Sequence, residues 1–275
     1  MKPYLKTKDY FYSRQEFDLL FDDKNEMLIT SPVPDNLENY YQSETYISHS
    51  DQSKTLIDKL YLLIKSFSLT KKVQLLNSLL PSKGSILDIG AGTGDFLLTA
   101  KKDKWNVSGV EPNPYARTNA NVKGIALFEN ISSLPDYTYN IITLWHVLEH
   151  LPDLDYQLRH ITKLLKKDGY LILAVPNFKS YDAKHYKQHW AAFDVPRHLW
   201  HFSKKSIVKL LKPHGLVLYK TKPMLFDSFY VSLLSEKYKT GKNRYLPAFF
   251  RGLVSNLKGM ASKEYSSHIY ILKKN

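Results

Sequence analysis

The sequence predicts an α/β fold built on a mostly parallel sheet, and three observations carry that prediction. The apolar run Ile86-Leu87-Asp88-Ile89 ends in Gly90-Ala91-Gly92-Thr93-Gly94, and Phe96-Leu97-Leu98-Thr99-Ala100 continues at helical spacing, which reads as strand, tight loop, helix. A second apolar run, Trp105-Asn106-Val107-Ser108-Gly109-Val110, also ends in an acid, Glu111. Beyond it strand-like and helix-like stretches alternate, the pattern of a parallel sheet with right-handed crossovers.

The glycine loop has a nucleotide-binding geometry, because glycines let the backbone turn sharply and approach a ligand while the helix start presents free N–H groups. A dinucleotide fingerprint needs G-x-G-x-x-G/A, and counting from Gly90 puts Asp95 at the last position, from Gly92 Leu97. Neither register fits. A P-loop is excluded because no Lys-Ser or Lys-Thr follows the glycines. What remains is D-x-G-x-G-x-G from Asp88 onward, with Glu111 placed to take both hydroxyls of a ribose and no phosphate-binding residues beside it.

Taken in order, residues 1–50 show little helical periodicity, and pieces such as Glu26-Met27-Leu28-Ile29-Thr30 fit a small hairpin or an edge strand in an N-terminal appendage. Residues 51–275 form the main domain. Within it, 52–80 carry two helical stretches, with Leu56, Ile57, Leu60, Leu63 and Ile64 on one face and Val73, Leu75, Leu76, Leu79 and Leu80 as a second set. Strands are expected near 85–89, 106–110, 125–128, 140–145, 170–175 and 216–222, with His268-Ile269-Tyr270-Ile271-Leu272 as the last. Ser203 is placed to cap a helix carrying Ile207, Val208, Leu210 and Leu211, which Pro213 and Gly215 end. The stretch 223–267 is a helical insertion before the last strand; Phe249, Phe250, Leu253, Val254, Leu257 and Met260 recur at helical spacing with Arg244, Arg251, Lys258 and Lys263 between them. A basic amphipathic helix over 243–263 suits a membrane surface or an isoprenoid tail, and it suits equally a helical cap or a homodimer face.

The pattern from Asp88 to Glu111 resembles the class I S-adenosylmethionine-dependent methyltransferases, whose cofactor has a ribose and an adenine but no phosphate. The resemblance extends through Val147-Leu148-Glu149-His150-Leu151, through the helix, glycine turn and strand of Leu164 to Asn177, and through Asp194-Val195-Pro196-Arg197-His198-Leu199-Trp200-His201-Phe202-Ser203. This last segment is similar to one in a bacterial subgroup akin to the quinone-biosynthesis O-methyltransferases. The resemblance implies a Rossmann-like fold with a seven-stranded sheet in the order 3-2-1-4-5-7-6, strand 7 antiparallel, and helices on both faces.

It also implies a cofactor, S-adenosyl-L-methionine, with S-adenosyl-L-homocysteine as product. Gly90, Ala91, Gly92 and Gly94 would lie against the methionine part, Asp88 would orient the loop or accept from the amino group, and Glu111 followed by Pro112 would hold the ribose. Asn130 would face the adenine amine where the family usually has an acid, Ile131 would pack on the ring, and Leu144 and Trp145 would close the site. A tyrosine-rich segment before the core, with Tyr41 and Tyr46, matches one that covers the cofactor in related enzymes or packs onto the core, and Arg197 would anchor a substrate carboxylate or pair with Asp194.

An acceptor oxygen or nitrogen must lose a proton, and the histidines after the fourth and fifth strands, His146, His150, His198 and His201, are the candidates, since histidine is a suitable base near neutrality. No metal is assigned: His185 and His189 stand at i,i+4, but Tyr186 replaces the Glu of H-E-x-x-H and no third ligand is apparent. The expected activity is methyl transfer to oxygen of a small-molecule or lipid-soluble acceptor. Sugar C- or N-methylation, and a non-catalytic S-adenosylmethionine-binding role, stay open.

Composition bounds these choices. The net charge of +13 favours anionic partners, yet its 39 Lys plus Arg against 26 Asp plus Glu include no Arg-rich block, so a solvated lysine surface is expected and nucleic acid is not. The absence of cysteine removes thiol catalysis, Cys-based zinc sites and disulfides. With no signal-like start and no run of about 18 apolar residues, a cytoplasmic protein is expected.

Overall fold

Short apolar runs bounded by turns form the strands, and longer amphipathic stretches form the helices. The computed structural model describes residues 1–41, 56–136 and 138–275. The chain opens with β1 (Lys2–Lys8), β2 (Glu16–Asp22) and β3 (Met27–Ser31), followed by α1 (Leu56–Asn77), β4 (Ser85–Ile89), α2 (Asp95–Lys102), β5 (Asn106–Val110) and α3 (Pro114–Val122). It continues with β6 (Tyr139–Trp145), α4 (Leu154–Leu164), β7 (Leu165–Pro176), α5 (Tyr181–Tyr186), β8 (Trp200–His201) and α6 (Lys204–Leu211). It closes with β9 (Leu216–Pro223), α7 (Asp227–Thr240), α8 (Tyr245–Ser262) and β10 (Ser267–Lys274).

The larger sheet has six strands in the order β5-β4-β6-β7-β10-β9, and β4 runs parallel to both β5 and β6. This order is 2-1-4-5-7-6 in the arrangement expected from sequence. The seventh strand, expected at 125–128, does not form. Phe128 makes only an isolated parallel bridge to Val110, because the short turn Ile131–Ser133, capped by the Asn130 side chain, carries the chain away just beyond it.

The chain packs into two units. The loop unit takes Ile47–Trp145, Asp155–Ile172 and Leu272–Asn275. Its core is the buried apolar set of β4 and β6 (Ile86, Leu87, Ile89, Ile141, Ile142, Leu144), with Leu76 of α1, Leu97 and Ala100 of α2, and Leu158 and Ile161 of α4. Where two helical stretches are expected in 52–80, the described residues form the single helix α1, since neither Gly nor Pro interrupts Leu56–Asn77.

The meander unit takes Met1–Tyr46, His146–Leu154 and Leu173–Ile271. Residues expected as an appendage with a small hairpin or an edge strand supply three strands of an antiparallel four-stranded sheet, β1-β2-β3-β8. Alternation explains the pairing. Phe17 and Leu19 of β2 and Leu28 of β3 face inward and pack in one cluster with Tyr40, Phe178, Tyr186, Trp190, Phe193 and Val231. The buried Asp182 accepts from Trp190 Nε1 at 2.7 Å, Ser255 Oγ at 2.6 Å and Ser266 Oγ at 2.7 Å. Ser203 caps α6 as its sequence suggests, in a reciprocal box with Ser206. The stretch 223–267 holds α7 and α8. Among the described residues, no helix is long and apolar enough to cross a membrane.

Candidate functional site

In the loop unit, the turn between β4 and α2 is built by left-handed backbone at Gly90 (φ 72°), Gly92 (φ 53°) and Gly94 (φ 75°). Gly90 and Ala91 donate to Val110 O at 2.8 and 3.0 Å, tying the loop to the end of β5. Among the described residues, a Cβ added at Gly92 would meet nothing within 4 Å, whereas at Gly94 it would stand 3.1 Å from the Ala120 Cβ. Glu111, directly after β5, accepts from Gly92 N–H through Oε2 and from Asn113 N–H through Oε1, both at 2.9 Å. A carboxylate has about four acceptor positions, so roughly two remain for hydroxyls.

Beside this loop, Phe96 meets the Trp145 ring edge-on at 5.6 Å and Lys72 Nζ lies 4.2 Å from a Trp145 ring centroid. Trp145 Nε1 is buried without a hydrogen-bond partner among the described residues. Buried indole N–H groups normally find an acceptor. Asp88 is 3% exposed and accepts from Thr143 Oγ1 at 2.6 Å. Burial pushes its carboxyl up to about 7.

In the meander unit, His146 opens the turn after β6 with φ 57°, a conformation uncommon for a residue other than glycine. Its Nε2 lies 3.1 Å from Asp227 Oδ2 and its Nδ1 3.4 Å from Glu149 Oε1. Burial opposes the imidazolium, yet Asp227 and Glu149 hold its pKa up at about 10, so His146 is a cation at neutral pH. Burial likewise opposes ionisation of Glu149, and the contact with His146 together with the charge of His198 outweighs it, keeping the carboxyl below the ordinary range.

His150 and His198 sit face to edge with ring centroids 4.5 Å apart. His150 Nδ1 bonds Arg197 O at 3.0 Å, and His198 Nδ1 bonds Ala192 O at 2.9 Å. A carbonyl only accepts, so each of these Nδ1 atoms carries a proton. Burial and then His198 depress His150 to about 4. The position of His198 is fixed from β3: Thr30 Oγ1 donates to His198 O at 2.6 Å, and Thr30 N–H to Leu199 O at 3.0 Å.

Several site expectations change. Arg197, expected either to anchor a substrate carboxylate or to pair with Asp194, is 1% exposed and does the latter: it donates to Asp194 Oδ1 at 2.6 Å and also to Asp9 Oδ1 at 3.2 Å, and so serves the interior of its unit. His201 is buried 3.0 Å from Thr30 Oγ1, with its pKa held well down by burial, and is a packing residue. Leu144 is fully buried, which leaves only its backbone for a ligand. The Asn130 amide oxygen, expected at an adenine, accepts from Ser132 N–H at 3.1 Å as a turn cap. Tyr41 braces His150, its hydroxyl 3.1 Å from Nδ1 and 3.2 Å from Arg197 O. Tyr46 lies outside the described residues. Ile131 opens the short turn Ile131–Ser133, and the Pro112 carbonyl accepts from Arg117 Nη1 at 2.7 Å. Sequence reasoning passed over Glu149, although the Glu-His pair stood in plain view in its motif; what could not be read was that His198, from a distant segment, would join it.

A family model described as a methyltransferase domain matches residues 65–221, more than half of the chain. The chain belongs to that family of methyltransferase domains. The match takes in the glycine loop, Glu111, Glu149, His150 and His198. Among curated proteins, the ubiquinone biosynthesis O-methyltransferase of Vibrio parahaemolyticus is 31% identical over 108 residues, covering 35% of this chain and 46% of that protein. The chain thus matches less than half the length of this curated relative. Among solved structures, magnesium protoporphyrin IX methyltransferase from Synechocystis PCC 6803 with bound SAH is similar at TM-score 0.58 and 15% identity, covering 87% of this chain and 98% of that one. A SAM-dependent methyltransferase from Thermotoga maritima is similar at TM-score 0.53 and 21% identity, covering 79% of this chain and 94% of that one. At such identities the likeness is one of fold.

Proposed function

We propose that this protein transfers a methyl group from S-adenosyl-L-methionine to a small acceptor, at oxygen. The observation that carries this reading is the pairing of Glu111 with Gly92: a carboxylate held by two backbone amides, with acceptor positions to spare, beside a loop where none of the described residues stands within 4 Å of a Cβ added at Gly92. Glu111 holds the ribose hydroxyls, the amides of Gly90 to Gly94 lie along the methionine part, and the Trp145 indole N–H finds the acceptor it lacks. Bound in this way, the cofactor supplies an electrophilic methyl carbon. The protein's own contribution is position and electrostatics. Asp88, buried against Thr143, fixes the loop from beneath. Oxygen as the acceptor atom is supported by the name of the Vibrio relative.

Calorimetric titration with S-adenosylmethionine and S-adenosylhomocysteine tests the reading. Saturable binding is expected, weakened by roughly 1–3 kcal/mol in Glu111→Ala. No binding of either ligand at millimolar concentration would sink it.

A lipid-soluble acceptor is supported by α8. Leu246 is 72% exposed, and Phe249, Phe250, Leu257 and Met260 are exposed with it. Arg251 and Lys258 lie between them, and the helix carries no acid. An apolar face with basic neighbours rests on an anionic bilayer. Cosedimentation with phosphatidylglycerol but not phosphatidylcholine vesicles is the expected result; a stable dimer that protects α8 from hydrogen exchange would replace it.

A further inference from the structure

We propose that Glu149, His150 and His198 form a binding site for one divalent first-row transition-metal cation, of the zinc type. Each of the three offers a ligand atom, and these atoms lie within 4.8 Å of one another. All three residues belong to the meander unit. The proposal stands independently of the methyl-transfer reading.

The carboxylate is the first argument. Glu149 is 1% exposed, and neither Oε1 nor Oε2 accepts a hydrogen bond from any described residue. A buried carboxylate ordinarily collects several donors, because nothing else offsets its lost hydration. The neighbouring charge, His146 Nδ1 at 3.4 Å, lacks the geometry of a hydrogen bond. The oxygens thus lie buried, without a hydrogen bond from any described residue, beside two imidazoles.

The imidazoles are the second. Metal-ligating histidines typically donate their remote N–H to a carbonyl or carboxylate, which fixes the tautomer and the ring plane. His150 does so through Nδ1 to Arg197 O, and His198 through Nδ1 to Ala192 O. Among the described residues, neither Nε2 makes a hydrogen bond; the charged group near His198 Nε2 is Asp194 Oδ2, at 4.0 Å. Both carbonyls are themselves anchored: Ala192 lies in the short turn Ala191–Phe193, and Arg197 O also receives the Tyr41 hydroxyl.

Two imidazole nitrogens and one carboxylate are a borderline-soft set, suited to zinc and its neighbours and poorly suited to magnesium or calcium, which take mainly oxygen. Tetrahedral bonds of about 2.0–2.1 Å place ligand atoms roughly 3.3 Å apart, so closing the site requires side-chain movements of the order of 1 Å. Three protein ligands leave a fourth position open, as in catalytic rather than structural zinc sites, for water or an oxygen of a small molecule. His185 and His189, the pair that sequence spacing singles out, pack instead against Tyr181 and Tyr10.

The test uses the full chain, stripped with chelator, and titrates it with cobalt(II) alone. One equivalent is expected to bind and to give the visible absorption of a four- or five-coordinate N/O site, displaced by one equivalent of zinc. Glu149→Gln and His198→Gln should each lower affinity by more than the roughly 10- to 100-fold typical of losing an outer-shell partner. His185→Gln and His189→Gln should leave it unchanged. Thermal unfolding followed with and without zinc gives a second readout: a saturable rise in midpoint is expected for wild type and absent in His150→Gln, so a variant that folds poorly still leaves two others to decide. Substoichiometric or non-saturating binding, or binding lost with His185 and His189 but kept in Glu149→Gln, would overturn the proposal.

Discussion

The loop unit and the meander unit hold their polar groups in opposite ways. Around Gly92 the partners come from one strand-loop-helix and the strand beside it, and backbone amides do the holding. Around Arg197 and His198, side chains from Asp9, Thr30, Tyr41, Glu149 and Asp194 converge from segments far apart in the chain. The first arrangement depends on backbone conformation, the second on tertiary closure. Substitutions in the two should therefore fail differently.

The largest effect is expected at Arg197. Replacing it by Met leaves Asp9, fully buried, and Asp194 without their cation, and removing one partner of a buried ion pair costs about 3–5 kcal/mol. Urea unfolding should show that loss, and an unchanged midpoint would mean the N-terminal strands are held by apolar packing alone.

Asp88 should produce the next. Burial raises its carboxyl to about 7 in the folded state, above the unfolded value near 4. Between these two values the unfolded chain loses its proton first, so stability falls as pH rises through that window and is flat above it. The contribution is on the order of 4 kcal/mol, and Asp88→Asn should flatten the slope. A wild-type curve already flat between pH 4 and 7 would show that Lys72, nearby, holds the carboxylate charged.

The two glycines of the loop sharpen the contrast at smaller magnitude. Gly94→Ala places a Cβ 3.1 Å from the Ala120 Cβ at φ 75° and should cost about 1–3 kcal/mol of stability. Gly92→Ala meets nothing within 4 Å among the described residues and should cost only about 1 kcal/mol, from its φ of 53°. Its effect belongs instead to cofactor affinity, which should fall at least about tenfold. Equal stability losses in both would remove the distinction between a packing glycine and a ligand-facing one.

The same contrast explains what was legible in the sequence. Asp88, the glycines and Glu111 lie on consecutive elements, so periodicity and spacing place them, and the order of six strands follows. The strand expected at 125–128 was misjudged because its apolar run gives no hint that Asn130 will cap a turn and end the pairing after a single bridge. The pairing of Arg197 with Asp194 is local and legible, whereas its second partner, Asp9, stands at the other end of the unit's sequence, and no local pattern announces that match. His198, 49 residues after Glu149, is its neighbour in a segment that Thr30 of β3 also bonds. Non-local closure leaves no periodic trace.

The shared cluster of Phe17, Leu19, Leu28, Tyr40, Phe178, Tyr186, Trp190 and Phe193 has a practical corollary. The homologous stretch, 65–221, begins after the first four of these and retains the last four. Trimming the protein to the limits of its family would strip the lining from one side of that cluster and leave four large aromatic side chains facing water, a surface that invites aggregation. The boundary of kinship and the boundary of what folds are here different places, and the first 41 residues are on the inside of the second.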